Sequence, residues 1–149
     1  MTLRTSKYNC VINSAAMILD IEPEKVVQEL GHDGTLKIYP ELPEPECFKG
    51  VHMQEITDVC VGMGARPVHI MAYPAGKNSF DADVWAVFPD DVAQGRFSMY
   101  ASMYSGIMLG VTASGAYHAV AWDTESAYDP KGFITPWPIF SITEGYFLI

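Results

Sequence analysis

Residues 115–132 read GAYHAVAWDTESAYDPKG, and this stretch decides the fold. Two apolar segments in it, residues 117–123 and 126–128, have the composition of short β-strands, and a polar turn separates them. A further strand pattern lies just before this pair, at residues 106–112. We therefore expect an antiparallel hairpin and, around it, a sheet built from the C-terminal third of the chain.

The pattern after this hairpin is irregular. Pro136 and Pro138 interrupt the residues that follow Gly132, because proline removes a backbone donor from any strand or helix. Apolar residues return only at the end of the chain, so an edge strand is expected to end at residues 146–149.

The N-terminal part of the chain has helical patterns instead. Apolar residues recur at helical spacing after Asn9, a good N-cap, and again after Pro23, which suits the first position of a helix. Gly31 ends the second pattern, and glycines also end a third. The three expected helices cover residues 10–19, 23–30 and 50–64.

The middle of the chain mixes both kinds of pattern. Residues 65–73 alternate and predict a strand, the apolar run at 84–88 is a candidate strand, and residues 89–104 are interpreted as a helix. The side chains that this helix is expected to bury are Met99, Met103 and Tyr104. Helices first and strands last, without βαβα alternation, predict a single α+β domain over residues 1–149, with N-terminal helices packed on a C-terminal antiparallel sheet.

Residues 32–49 form the one long segment without a helix or strand pattern. Prolines and glutamates alternate in it, a composition that suits a surface loop, and long loops inside compact domains are often functional. An acidic loop beside a cleft would favour basic substrates. The residues concerned are Pro40, Glu41, Pro43, Glu44, Pro45 and Glu46.

Composition and charge exclude several functional classes. The 149 residues carry 18 acids and nine Lys or Arg, a formal charge of -9, and no basic cluster that would neutralise phosphates, so nucleic acid is not an expected partner. No apolar run approaches the ~20 residues of a membrane span. The three cysteines include no CxxC pair, which favours a reducing, cytoplasmic location, and the N-terminal apolar stretch lacks the cleavage site of a signal peptide.

Cys10 occupies a position that favours thiol chemistry, the first turn of a predicted helix. Unpaired backbone N–H groups and the helix dipole stabilise a thiolate there, and the same N–H groups can bind the oxyanion of a tetrahedral intermediate. The alternative is a buried structural cysteine, since free cysteines are among the most buried residues. Cys47 and Cys60 fit that alternative better, because Cys60 lies on the apolar face of its helix.

His118 and Asp129 lie at the two ends of the predicted hairpin. An aspartate at Asp129 can accept a hydrogen bond from one ring nitrogen of His118 and turn the other nitrogen towards a thiol. Asp123 is five residues further along the same strand, an odd offset that points it to the opposite face. The alternative reading keeps His118 as a structural histidine and Asp129-Pro130 as an ordinary turn.

Asn9-Cys10 at the head of CVINSAAMILDI, His118 in YHAVAWD and Asp129 in AYDPKG together resemble the papain-like cysteine peptidases, especially the bacteriocin-leader-processing peptidases and their bacterial and phage relatives. The resemblance implies a papain-like fold and a Cys10–His118–Asp129 triad. It also implies thiol-dependent hydrolysis of a peptide or isopeptide bond in a peptide or protein substrate, without a cofactor. Deamidation and transfer to an amine use the same intermediate.

The resemblance departs from the family pattern before Cys10. Where such peptidases carry a glutamine that completes the oxyanion hole, this chain has Arg4, which leaves Ser6 and Asn13 as the candidate donors. The departure, together with the acidic loop, favours a second hypothesis, in which a papain-like protein of weak or no activity binds or inhibits a partner protein. Retention of the cysteine, histidine and aspartate in matching order favours the enzyme.

A metal site is a weaker hypothesis. His52 and Glu55 are three residues apart on a predicted helix, and His69 lies on the next strand. No further residues supply zinc-type spacing, so no metal is expected.

Overall fold

The computed structural model describes residues 1–72 and 90–149, with the side chains of 1–72 and 94–149. These parts of the chain form an α+β structure. Its helices are α1 (Cys10–Leu19), α2 (Pro23–Leu30), α3 (Met53–Gly62) and α4 (Asp90–Met103). Its strands are β1 (Pro67–Met71), β2 (Gly106–Val111), β3 (Tyr117–Trp122), β4 (Ala127–Asp129), β5 (Phe133–Thr135) and β6 (Ser141–Leu148). No helix within these ranges is both long and apolar enough to cross a membrane.

The six strands form one sheet in the order β1-β6-β2-β3-β4-β5, and every described pairing is antiparallel. The predicted hairpin is β3–β4, with Trp122 opposite Ala127. The expectation of an edge strand at the C-terminus is wrong, because β6 lies between β1 and β2. The Glu144 side chain of β6 hydrogen-bonds the His69 side chain of the neighbouring strand β1, with 2.6 Å between Oε2 and Nε2.

Helices cover both faces of the sheet. On one face α1, α2 and α3 pack on Ile107 and Ala119, and on the other α4 packs on Met108, Val120 and their neighbours. Successive residues of a strand point to opposite faces, which is why 107 and 108 belong to different clusters. The Trp122 indole donates a hydrogen bond of 2.7 Å to the Ala101 carbonyl and so fastens α4 to the sheet.

The first two helices have the predicted bounds. The Asn9 side chain accepts a 3.0 Å hydrogen bond from the Ile12 amide, and Gly31 ends α2 in the left-handed region at φ 79°. The third helix starts later than predicted, at Met53, because His52 and Glu55 form a capping box there. The strand predicted at 65–73 is shorter, and its last residue lies beyond the described ones, as does the predicted strand at 84–88.

The expected burial in the fourth helix is wrong in part. Met99 and Met103 are exposed, whereas among residues 94–103 of α4 Phe97 and Ala101 are buried in the core. Phe97 meets Phe147 edge-on, and a Cβ at Gly145 would lie 2.9 Å from the Phe97 ring. A glycine in the central strand β6 therefore gives this helix its close approach to the sheet, a long-range requirement that the pattern of α4 alone does not contain.

Candidate active site

Cys10 is the first residue of α1 and is partly exposed. The helix approaches β3 closely because small side chains meet there: Ala15 and Ala16 are fully buried in one cluster with Ala119. The Ile12 amide is capped and the Asn13 amide bonds the Asn9 carbonyl at 3.2 Å. The N–H groups of Cys10 and Val11 have no hydrogen-bond partner among the described residues, so they are available to an anion beside the thiol.

The two side chains that the sequence suggested as oxyanion donors are otherwise engaged. Asn13 is 1% exposed, and its amide group donates to the carbonyls of Tyr8 and Asn9 at 2.8 and 3.0 Å. The Ser6 hydroxyl donates to the Asn13 carbonyl oxygen at 2.7 Å and accepts from the Tyr8 amide. Both residues therefore hold the chain that leads into Cys10, and neither has a donor left for a ligand.

Arg4 occupies the position where the resemblance implies a glutamine, and its guanidinium is engaged in ion pairs elsewhere. Its guanidinium forms an ion pair with Glu22 and a second with Asp20 at 3.6 Å. These acids lie at the junction of α1 and α2, so Arg4 ties the N-terminal segment to that junction. Arg4 thus holds the N-terminal segment against the α1–α2 junction and does not serve as a hydrogen-bond donor at the thiol.

His118 and Asp129 form a buried pair. His118 is 8% exposed and Asp129 3%, and Nε2 of the histidine lies 2.8 Å from Oδ2 of the aspartate. The other oxygen, Oδ1, accepts a 2.8 Å hydrogen bond from the Lys131 amide. Both carboxylate oxygens thus have a donor, which fixes the carboxylate and, through it, the plane of the imidazole.

Asp123 has a different task in the same hairpin. Its Oδ1 accepts from the amides of Glu125 and Ser126 at 3.0 and 2.8 Å and so holds the turn. The parity of the strand separates it from His118, as expected from the odd offset. The residue that contacts His118 is Asp129, and its catalytic role remains a prediction.

The thiol of Cys10 is brought to the same imidazole. The interaction with Cys10 is the largest cause that raises the pKa of His118 above its usual value, and burial opposes it; the hydrogen bond and the charge of Asp129 raise this pKa further. Since Asp129 occupies Nε2, Nδ1 is the nitrogen left for the thiol. Cys10 and Asp129 therefore both act on His118, and the contact of His118 with Asp129 is a 2.8 Å hydrogen bond.

Phe140 is a residue of the site that the sequence did not indicate. Its ring meets the His118 ring edge-on, with 5.5 Å between the ring centroids. Gly110, opposite His118 on β2, makes this contact possible. A Cβ at Gly110 would overlap the carbonyl oxygen of Ser141 and lie 2.6 Å from the Phe140 ring. Aromatic packing on one side and Asp129 on the other thus restrict the imidazole.

Replacing Gly110 with alanine is expected to destabilise the fold by about 2 kcal/mol or more, because the added methyl overlaps backbone that cannot move without opening the β2–β6 ladder. Urea unfolding of the variant measures the effect. Gly62→Ala is the matched control, since its Cβ would have no atom within 4 Å apart from its chain neighbours and its own helix backbone, and the free energy of unfolding of this variant should be unchanged or slightly higher. Equal stability of both variants would contradict the close approach at Gly110.

The remaining cysteines are buried away from this arrangement. Burial raises the pKa of the Cys60 thiol to about 11, and Cys47 is 2% exposed inside the loop of residues 32–49. A thiol with so high a pKa remains protonated near neutral pH and is a poor nucleophile. The chemistry of the three thiols is therefore expected to differ sharply.

The three residues of the metal hypothesis, His52, Glu55 and His69, do not form one cluster. His52 caps α3 with Glu55, whose carboxylate also bonds His32 at 2.8 Å, while His69 bonds Glu144 on the neighbouring strand β6. No group of three or more metal-binding side chains is found within the described ranges.

The structure brings together Cys10, His118 and Asp129, and it uses Ser6 and Asn13 to shape the approach to them. Comparison of the chain with protein-family models, with curated proteins and with solved structures finds no match in any of the three.

Proposed function

We propose that this protein is a thiol-dependent hydrolase of peptide or isopeptide bonds, with Cys10 as nucleophile, on a papain-like arrangement of helix and sheet. The observation that carries the proposal is the buried pair of His118 and Asp129, with 2.8 Å between Nε2 and Oδ2, beside the partly exposed Cys10 at the start of α1, which raises the pKa of the imidazole. A thiol, a base and a group that orients the base are the three parts of an activated nucleophile. A reducing compartment, such as the cytoplasm, would keep the three free thiols reduced.

Each residue has one role in the proposed reaction. His118 takes the thiol proton, and the sulfur of Cys10 attacks the carbonyl carbon of the substrate. The C–N bond then breaks as the imidazolium protonates the leaving amine, which leaves a thioester on Cys10. Water, deprotonated by His118, attacks the thioester and releases the carboxylic acid and the thiol. Asp129 holds the ring tautomer throughout.

The oxyanion formed in each step needs donors, and the helix start supplies them. These donors are the N–H groups of Cys10, which carries the sulfur, and of Val11, the next residue. Neither N–H group has a hydrogen-bond partner among the described residues. Such donors typically contribute ~100-fold or more to turnover. Turnover would therefore depend on backbone groups to a greater degree than in a peptidase with a glutamine donor.

A second function is favoured by the engagement of Arg4, Ser6 and Asn13 in structural contacts. Without a side-chain oxyanion donor, the protein would bind a peptide segment at Cys10 and turn it over slowly or not at all. This binding or inhibitory function uses the same fold and cleft. It predicts a thiol that reacts with small electrophiles but produces no peptide cleavage.

Selective alkylation tests the proposed function. Iodoacetamide at about pH 6 should label Cys10 at least about tenfold faster than Cys47 and Cys60, because Cys10 is partly exposed beside the proposed base His118 whereas the other two thiols are buried. Mass spectrometry of digested protein identifies the labelled residue, and His118→Gln should remove the preference. Equal labelling of all three thiols would contradict the proposal, and selective labelling without cleavage of any peptide library would favour the binding function.

A further inference from the structure

A groove of about 410 Å³ lies beside the residues that lead into Cys10. Residues 7–9 form one wall, and residues 33–35 with Pro45, Phe48 and Gly50 form the other. Asn9 in the first wall is the direct neighbour of Cys10, so their Cα atoms are about 3.8 Å apart. The groove therefore adjoins the start of α1, the helix whose first residue is Cys10.

The chemistry of the groove suits a long cation. Tyr8 and Phe48 provide aromatic surface for an aliphatic stem. The Asp33 carboxylate uses Oδ1 to accept from the amide and hydroxyl of Thr35 at 3.0 and 2.6 Å. Its Oδ2 has no hydrogen bond or ion pair among the described residues and is free to accept from a ligand.

The surroundings of Asp33 favour its charged form. The hydrogen bonds from Thr35 lower the pKa of this carboxyl, so it is anionic at neutral pH. Glu41 and Glu46, on the same loop, are exposed and without ion pairs among the described residues, whereas Lys37 and Lys49 are paired with Glu44 and Glu55. Among the residues that line the groove, Asp33 therefore provides a negative charge that an incoming cation can pair with once Lys7 moves aside.

The chain already places one of its own cations at this groove. The Lys7 ammonium lies 5.4 Å from the centroid of the Tyr8 ring, and its charge contributes to the lowered pKa of Asp33. Lys7 is exposed, so a substrate cation can displace it at small cost. The position shows that the Tyr8 ring accommodates a positive side chain within the electrostatic reach of Asp33.

We propose that this groove is a substrate subsite that takes an arginine or lysine side chain next to the scissile bond, with Asp33 as its specificity residue. The inference rests on the proposed function for its catalytic meaning, but the groove can be tested without catalysis. Arginine fits better than lysine, because its planar guanidinium can bond Oδ2 while it stacks on Phe48 or Tyr8.

Matched peptidyl electrophiles test the subsite on the intact protein. Two acyloxymethyl ketones that differ only in arginine against citrulline, its neutral isostere, are compared by their rates of labelling Cys10. The arginine compound should react about tenfold faster. Asp33→Asn should reduce this ratio to about one while leaving the iodoacetamide rate unchanged, and Lys7→Gln should raise the rate of the arginine compound about two- to threefold. A ratio near one in wild type, or one that survives Asp33→Asn, would overturn the proposal.

A binding measurement separates failure of the subsite from failure of the chemistry. The amide peptides with arginine or citrulline are titrated into Cys10→Ala, and NMR shifts of the amides of residues 33–35 are followed. Weaker binding of the citrulline peptide by about tenfold supports the subsite even if Cys10 proves unreactive. Equal binding of both peptides overturns it even if Cys10 reacts selectively.

Discussion

Cys10→Ala is expected to abolish hydrolysis, with a loss of about 10⁴-fold or more, while the free energy of unfolding stays within about 1 to 2 kcal/mol of wild type. The catalytic loss is large because no other thiol is near His118: Cys60 and Cys47 are buried elsewhere. The stability change is small because Cys10 is partly exposed at the start of α1, where a sulfur atom has little packing to lose.

Cys60→Ala is the matched control for that experiment. Cys60 is 2% exposed in the cluster that joins α1, α2 and α3 to the sheet, so its removal leaves a small cavity and should destabilise by about 1 to 2 kcal/mol. Its hydrolytic activity should equal that of wild type. An assay with a fluorogenic peptide distinguishes the two variants, and denaturant titrations check that both are folded. Unfolding of Cys10→Ala, with activity retained in the folded fraction, would reverse the assignment.

The parts of the site that the sequence predicted are those fixed by local rules. Asn9 before a helical pattern places Cys10 in a first turn, and the parity of a strand separates Asp123 from Asp129. Each rule acts over fewer than about a dozen residues. The contact between Cys10 and His118 joins these local units and was expected only from the resemblance to a family.

Long-range packing decides what the sequence did not predict. The central position of β6 depends on its backbone ladders with β1 and β2, which are distant in the chain, and the contact of Phe140 with His118 depends on the missing side chain of Gly110. The hydrogen-bond engagement of Asn13 likewise depends on how the preceding loop folds back. Patterns of apolar residues along one segment contain none of this information.

Asp129→Asn is expected to reduce hydrolysis by about 10³-fold. In the wild type, Oδ2 of Asp129 contacts His118 and Oδ1 accepts from the Lys131 amide. Asparagine replaces one of these two oxygens with an NH2 group, which is a donor, so one of the two contacts is lost. Either the imidazole loses its acceptor and its tautomer, or the turn after β4 loses a hydrogen bond. Asp123→Asn, in the same hairpin but bonded only to turn amides and Tyr128, should retain activity.

The same substitution should change the pH dependence of stability. The thiol of Cys10 and the carboxylate of Asp129 raise the pKa of His118, so a protonated His118 stabilises the folded state. That contribution is fully present below the unfolded imidazole pKa of ~6.5 and is lost as the pH rises through the higher folded value. Asp129→Asn removes the carboxylate charge, so urea midpoints should fall less between about pH 6 and pH 8 than in wild type. An unchanged pH dependence would mean that Asp129 does not support the charge on His118, and its role in the proposed reaction would then be limited to the geometry of the hairpin.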